Sequence, residues 1–151
     1  MLKPDYSFST DTSEVDRVLV HRWLSEQAYW ALGRTREVQD AAIDASRNYS
    51  VHDSGSGRQV AYARVITDAS TFAWLCDVFV SPQVRGDGIG KLLIEGVVAD
   101  LDALGVRRTL LATADAHGLY ARYGFEPLAE PGRWMGRGGL LPSASPAPQL
   151  R

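Results

Sequence analysis

The stretch "TFAWLCDVFVSP", Thr71 to Pro82, sets the tightest limit on what this chain can fold into. Its first ten residues hold a single charge, Asp77, among Phe, Trp, Leu, Cys and Val side chains. A run so short and so apolar reads as a strand. It does not alternate with polar residues, so both of its faces need cover and helices are expected on both sides of its sheet. Pro82 cannot extend a ladder, which ends the strand. Then comes "RGDGIG", with glycine at 86, 88 and 90, followed by an apolar helical run. A simple turn needs one such glycine rather than three. Bare backbone directly before a helix suits the close approach of an anion to unpaired N–H groups.

The rest of the chain fits around this unit. Tyr6–Ser9 reads as a short first strand. Val15, Val18, Leu19 and Trp23 recur at helical spacing, with Ser13 as the expected N-cap, until Gly33 breaks the pattern. Thr35 is the candidate cap of a second helix over "REVQDAAIDAS". From Tyr49 the period changes to two. "YSVHD", the turn "SGSG" and "RQVAYARVIT" form a hairpin, with Val60, Tyr62, Arg64 and Ile66 on one face. After the glycine loop a helix runs from about Gly88 to Leu104, closed by Gly105. "RRTLLAT" is expected as another buried strand, "DAHGLYARYG" as a short helix ended by Gly124, and "FEPL" with "RWMGR" as the last strands. The order predicts an α/β domain of the α+β kind: one mixed, mostly antiparallel central sheet with helices on both faces. The domain is expected over 1–136. The segment 137–151, rich in Gly, Pro, Ser and Ala, is expected to be a flexible tail.

At 151 residues and 45% hydrophobic the chain can bury a proper core. A net charge of −2 gives no general attraction to nucleic acid, so no nucleic-acid partner is expected. The N-terminal stretch lacks a long apolar core, so neither a signal peptide nor a membrane span is expected. Cys76 is the single cysteine, which excludes an internal disulfide and fits a cytoplasmic location. Within its apolar run it reads as a packed thiol. His21 and His52 lack companions at ligand spacing, so no metal site is expected.

Two phosphate-binding loops can be set aside on spacing. For the nucleoside-triphosphate loop G-x-x-x-x-G-K-[ST], Gly90 and Lys91 would place the first glycine on Arg85, and Leu92 follows the lysine. For the dinucleotide fingerprint G-x-G-x-x-G, the third glycine would be Lys91. A third pattern, R/Q-x-x-G-x-G/A, is met by Arg85, Gly88 and Gly90. With "DVFVSP" before it and "LYARYGF" after it, this part of the chain resembles the GNAT superfamily of acyl-CoA-dependent N-acyltransferases. The resemblance runs from about Val60 to Met135.

That resemblance implies acetyl-CoA as co-substrate and a primary amine as acceptor, a small molecule in the first reading. Protein lysines or N-termini, a longer acyl group, and a non-catalytic CoA-binding module are the alternatives. The pyrophosphate would meet Arg85, Gly86, Asp87, Gly88, Ile89, Gly90 and Lys91, and the pantetheine arm would pair with the backbone of Val78, Phe79 and Val80. Tyr120 matches the family's motif tyrosine, which protonates the departing thiolate, and Tyr123, three residues on, would share that face and pack on the cofactor arm. His117 stands where many relatives carry an asparagine that bonds the pantetheine. The base is open between Asp77, with a raised pKa, and a structural pairing of Asp77 with a neighbour such as Arg64. Asp68 reads as a turn residue and Asp115 as a helix cap. Tyr29, Trp30 and Trp74 are the expected walls of the acceptor pocket, with core packing as the other reading. An unpaired C-terminal strand would support a homodimer.

Overall fold

The computed structural model of the chain describes residues 5–138. Five strands form one sheet in sequence order, β1 (Tyr6–Ser9), β2 (Arg47–Asp53), β3 (Gln59–Thr67), β4 (Ala73–Val80) and β5 (Thr109–Leu110). The first four are antiparallel neighbours, and β5 lies parallel to β4. Helices α1 (Arg17–Gln27) and α2 (Arg36–Asp44) cover one face, and α3 (Ile89–Leu104) and α4 (His117–Ala121) the other. This is the mixed, mostly antiparallel sheet between two helical layers that the sequence predicts. Among the described residues no helix is long and apolar enough to cross a membrane.

Each layer has its own core. Ala61, Ala63, Val65 and Leu75 meet Leu93, Ile94 and Val97 of α3, whereas Tyr62 and Phe79 lie under Val20, Trp23 and Leu24 of α1. Thr35 caps α2 as expected, its hydroxyl accepting from the Val38 N–H at 3.2 Å. Gly105, in the left-handed region at φ 81°, closes α3. The cap of α1 differs from expectation. Asp16 accepts from Leu19 N–H at 3.0 Å, and Ser13 sits in a preceding 3-10 turn capped by Asp11. The Gln59 side chain accepts from the Asp16 N–H at 2.7 Å and fixes the helix start there.

The register of β4 changes along its length. Val65 faces Leu75 and Arg64 faces Cys76, but Tyr62 faces Phe79, so β4 holds one extra residue. The extra residue is at Asp77, whose φ of 52° lies in the left-handed region. Side chains alternate across a strand, so the insertion changes which core each later residue enters. Leu75 packs with the α3 side, as do Val78 and Val80, while Asp77 and Phe79 both face α1 and α2. The expectation of burial on both faces is therefore corrected. Trp74, Cys76, Val78 and Val80 are only half-buried, and Ile66 beside Trp74 is 47% exposed. The helices do not cover that part of the sheet.

Two further expectations are corrected. Only Thr109 and Leu110 of "RRTLLAT" form strand, and both are half-buried, because β5 leaves β4 after two paired residues. "FEPL" and "RWMGR" form no strand. Pro127 and Pro131 remove ladder donors, Pro131–Arg133 forms a 3-10 turn, and the Trp134 ring packs under the Arg108 guanidinium 6.0 Å away. Of the expected tail, all but Arg137 and Gly138 lies outside the described residues.

Candidate active site

β4 and β5 pair only at Ala73 with Thr109 and Trp74 with Leu110, and beyond that point they separate. The Ser81 N–H donates to Val60 on β3 at 2.8 Å. Successive N–H groups of a strand point to opposite edges, so those of Val80 and Val78 face the gap left by β5. The strand thus presents two free donors along an open edge, just where the resemblance places the thioester and the pantetheine. Phe79 contributes backbone only. Its ring stacks on Trp23 with centroids 5.2 Å apart.

The loop continues this edge. Gly86 and Gly88 take φ of 96° and 79°, and Gly88 stands at the N-cap of α3 without a side-chain cap. Among the described residues the N–H groups of Gly86, Gly88, Ile89, Gly90 and Lys91 have no backbone acceptor. Left-handed turns feeding a helix start aim consecutive N–H groups into one concavity, and the helix dipole adds to its attraction for anions. Ile89 gives only its N–H, since its side chain is buried in the core. Arg85 is turned back onto β4, with Nε donating to the Val80 carbonyl at 3.1 Å and its guanidinium over Phe79. Lys91 is exposed, and its carbonyl accepts from the Tyr123 hydroxyl at 3.2 Å. That bond fastens α4 to the first turn of α3. Tyr6, which the sequence did not single out, donates to Asp87 at 3.1 Å and holds that carboxylate.

Tyr120 is buried at 7% exposure, edge-on to Phe125. Burial pushes its pKa up to about 12, with the Asp115 and Tyr29 charges adding to the effect. It is a neutral proton donor at pH 7. Among the described residues only Gln39 Nε2 and Ser50 Oγ are sealed side-chain polar atoms without a partner. Among these residues the Tyr120 hydroxyl has no hydrogen-bond partner either and is not sealed, so it opens onto solvent. Tyr120, His117 and Tyr123 line a cavity of about 530 Å³ between β5, α3 and α4. His117 is exposed at the start of α4. Asp115 is no cap. Ala116 stands at the N-cap without a side-chain cap, and the Thr113 hydroxyl closes the turn before it, accepting from the Ala116 N–H at 3.0 Å. Asp68 is the turn residue expected, accepting from Ser70 and Thr71 N–H groups.

Asp77 corrects the expectation of a raised pKa. Its Oδ2 accepts from Arg34 Nη1 and from Arg64 Nε, both at 2.8 Å, and its Oδ1 accepts from Trp30 Nε1 at 3.0 Å. Burial alone would raise its pKa, but the Arg34 hydrogen bond and the charges of both arginines outweigh that and hold the carboxyl below its ordinary range. Arg64 is the partner the sequence suggested. Arg34, 43 residues away, was not legible. Cys76 is half-buried, and burial pushes its thiol up to about 11. Trp30 and Tyr29 are both half-buried and meet edge to face at 5.1 Å. Trp74 lies on the same sheet face as Asp77, opposite Ile66, with no ring contact to that pair. Among the described residues no group of three His, Cys, Asp or Glu side chains is placed to hold a metal ion.

A family model of the acetyltransferase (GNAT) domain matches residues 45–127. The chain belongs to the GNAT family of acetyltransferases. A structure from Xanthomonas campestris pv. campestris, assigned to the same family, is 48% identical with a TM-score of 0.83, over 89% of this chain and 94% of that one. Serotonin N-acetyltransferase 2, chloroplastic, of Oryza sativa subsp. japonica is 36% identical over 96 residues, or 61% of this chain. The chain spans about half the length of that curated relative, 48%. N-acetylglutamate synthase from Neisseria gonorrhoeae, solved with coenzyme A and N-acetyl-glutamate, is similar in fold, with a TM-score of 0.63 and 20% identity. It covers 85% of this chain and 30% of that one. The match to the family model takes in β2, β3, β4, the glycine loop, α3, β5 and α4, so it spans the open edge of β4.

Proposed function

We propose that the protein is an acetyl-CoA-dependent N-acetyltransferase acting on a small primary amine in the cytoplasm. The observation that carries this reading is the unpaired edge of β4 running directly into the free N–H groups of the glycine loop. An extended pantetheine arm adds to Val78, Phe79 and Val80 as a strand would. The pyrophosphate is held by the N–H groups from Gly86 to Lys91. Arg85 fixes the end of β4, Tyr6 holds Asp87 through its carboxylate, and His117 and Tyr123 flank the arm. The family's acetyltransferase name and the coenzyme bound in the Neisseria relative support this assignment.

In the reaction the amine nitrogen attacks the thioester carbon. The C–N bond forms, and the developing oxyanion is met by the Val78 N–H. The C–S bond then breaks, and the thiolate takes the Tyr120 proton. The nitrogen gives its extra proton to solvent water, and the phenolate regains one from solvent, so the products are an amide and the free thiol. Asp77 is ionised between two arginines and is a weak base, so its role is to position Trp30 and the bulge. Trp30, Tyr29 and Trp74 form the apolar side of the acceptor pocket.

The test is thiol release from acetyl-CoA with a panel of primary amines, with the product identified by mass. Amine-dependent thiol release matched by an equal amount of acetylated amine is expected. Tight acetyl-CoA binding with no release above hydrolysis would overturn the reading.

A further inference from the structure

The cluster around Asp77 holds one positive charge too many. Arg34 and Arg64 meet a single carboxylate, and among the described residues neither has another acidic partner. The other contacts are neutral: Arg34 Nη1 to Gln39 Oε1 at 2.9 Å and Arg64 Nη1 to Ser46 Oγ at 3.1 Å. Both guanidinium groups bind end-on through the same oxygen, Oδ2, instead of taking one oxygen each. Among the described residues, Nε and Nη2 of Arg34 and Nη2 of Arg64 therefore keep N–H groups with no acceptor. None of these nitrogens is among the sealed partnerless atoms, so all three open onto solvent. The side chains as a whole are only 19% and 11% exposed. A mostly buried site with surplus positive charge and spare donors is costly to keep empty of an anion.

Its place in the fold says which molecule would supply that anion. Asp77 directly precedes Val78, whose N–H faces the open edge, and Trp30 and Tyr29 join the cluster from the loop after α1. The sheet face on which Arg64 of β3 and Asp77 of β4 lie is the side opposite α3 and its glycine loop, away from the proposed anion site of the co-substrate. We propose that the acceptor amine carries a carboxylate, which docks on the free N–H groups of Arg34 and Arg64 while its hydrocarbon body lies along Trp30 and Tyr29. One surplus charge matches one carboxylate. A phosphate dianion would overcompensate it, and a polyamine would be repelled. The planar guanidinium edge also suits the paired oxygens of a carboxylate.

This rests on the N-acetyltransferase reading, so the experiment measures binding as well as turnover. The matched pair is phenylalanine and 2-phenylethylamine, which differ only in the carboxylate. Phenylacetate serves as the binding probe, titrated by calorimetry into the protein saturated with coenzyme A. Wild type is expected to bind phenylacetate, and Arg34→Gln to weaken that binding by about tenfold or more, as expected when a charge-assisted contact is lost. In turnover, Arg34→Gln should raise KM for phenylalanine by about tenfold more than it changes KM for 2-phenylethylamine, so the ratio of the two KM values reads the carboxylate contact. Arg34→Lys, which keeps the charge, should recover part of the loss. Arg64→Gln checks the second arginine by the same calorimetry. Absence of phenylacetate binding to wild type, equal binding by Arg34→Gln, or a better KM for 2-phenylethylamine than for phenylalanine would overturn the proposal. If neither amine releases thiol while phenylacetate binds and Arg34→Gln abolishes that binding, the anion site stands and the acetyl-transfer reading fails.

Discussion

Asp77→Asn separates a positioning carboxylate from a catalytic base. Asparagine tolerates the left-handed backbone as aspartate does, so the change removes charge without adding strain at φ 52°. The amide oxygen can still face both guanidinium groups, but it carries no full charge, and the N–H₂ is turned toward Trp30 Nε1, another donor. Removing one partner of a buried ion pair costs about 3–5 kcal/mol. Water reaches Arg34 and Arg64, 19% and 11% exposed, and partly screens the charges left behind. We therefore take the lower end, about 3 kcal/mol, or roughly 6–12 °C in Tm for a domain of this size. Urea unfolding at pH 7 measures the loss. The pH dependence follows from the lowered pKa of Asp77. A carboxyl that holds its proton less tightly when folded stabilises fully above its unfolded pKa and loses that contribution as pH falls through the folded one. The wild type should therefore lose its advantage over Asp77→Asn as pH drops below about 4. The acid limb of the rate–pH profile, measured well below the variant's Tm, should keep its wild-type midpoint. A variant within about 1 kcal/mol of wild type, an unchanged stability gap at low pH, or a displaced rate limb would refute this account.

Tyr120→Phe removes only the hydroxyl, so kcat should fall by about tenfold to a hundredfold while calorimetry gives an unchanged Kd for acetyl-CoA; equal kcat would remove the phenol from the reaction. Gly90→Val tests the loop better than a change at Gly88, where the left-handed φ would strain any side chain. A Cβ at Gly90 would stand 3.7 Å from Leu119, an ordinary contact, so the urea midpoint should hold while acetyl-CoA affinity drops by about tenfold or more. Gly96→Ala would bring a Cβ into the Phe8 ring, which stacks on Tyr49. The overpacking costs about 1–3 kcal/mol against a helix-propensity gain of about 1 kcal/mol, so a lower Tm is expected and a raised one would contradict it.

The parts of this structure that were legible in the sequence are those where a residue type answers a local demand. Glycines at 86 and 88 announce left-handed backbone before a helix, Thr35 and Gly105 mark helix ends, and "LYARYGF" marks the short helix that carries Tyr120. What stayed hidden depends on distance or register. One extra residue in an apolar run leaves no mark, since "WLCDVFV" reads as a strand with or without a bulge. The pairing of Arg34 with Asp77 spans a turn, a helix and a hairpin, and no spacing rule connects them. Trp30 illustrates the limit from the other side. Sequence could name it as pocket wall or core, but its indole bond to Asp77 depends on where the bulge aims that carboxylate. "TLLAT" is apolar and reads as a full strand, whereas pairing is decided by how far its neighbour runs alongside it.

The bulge at Asp77 also bears on how this chain can change in length. Deleting Asp77 would join Cys76 directly to Val78 and restore one continuous register with β3. Alternation from Leu75 onward would still place Val78 and Val80 on the α3 side and keep Phe79 on Trp23. The N–H groups of Val78 and Val80 would still point away from β3. What would go is the carboxylate between Arg34 and Arg64 and the anchor of the Trp30 indole. The extra residue thus brings a charged side chain to the face under α1 and α2 without taking a position from either core.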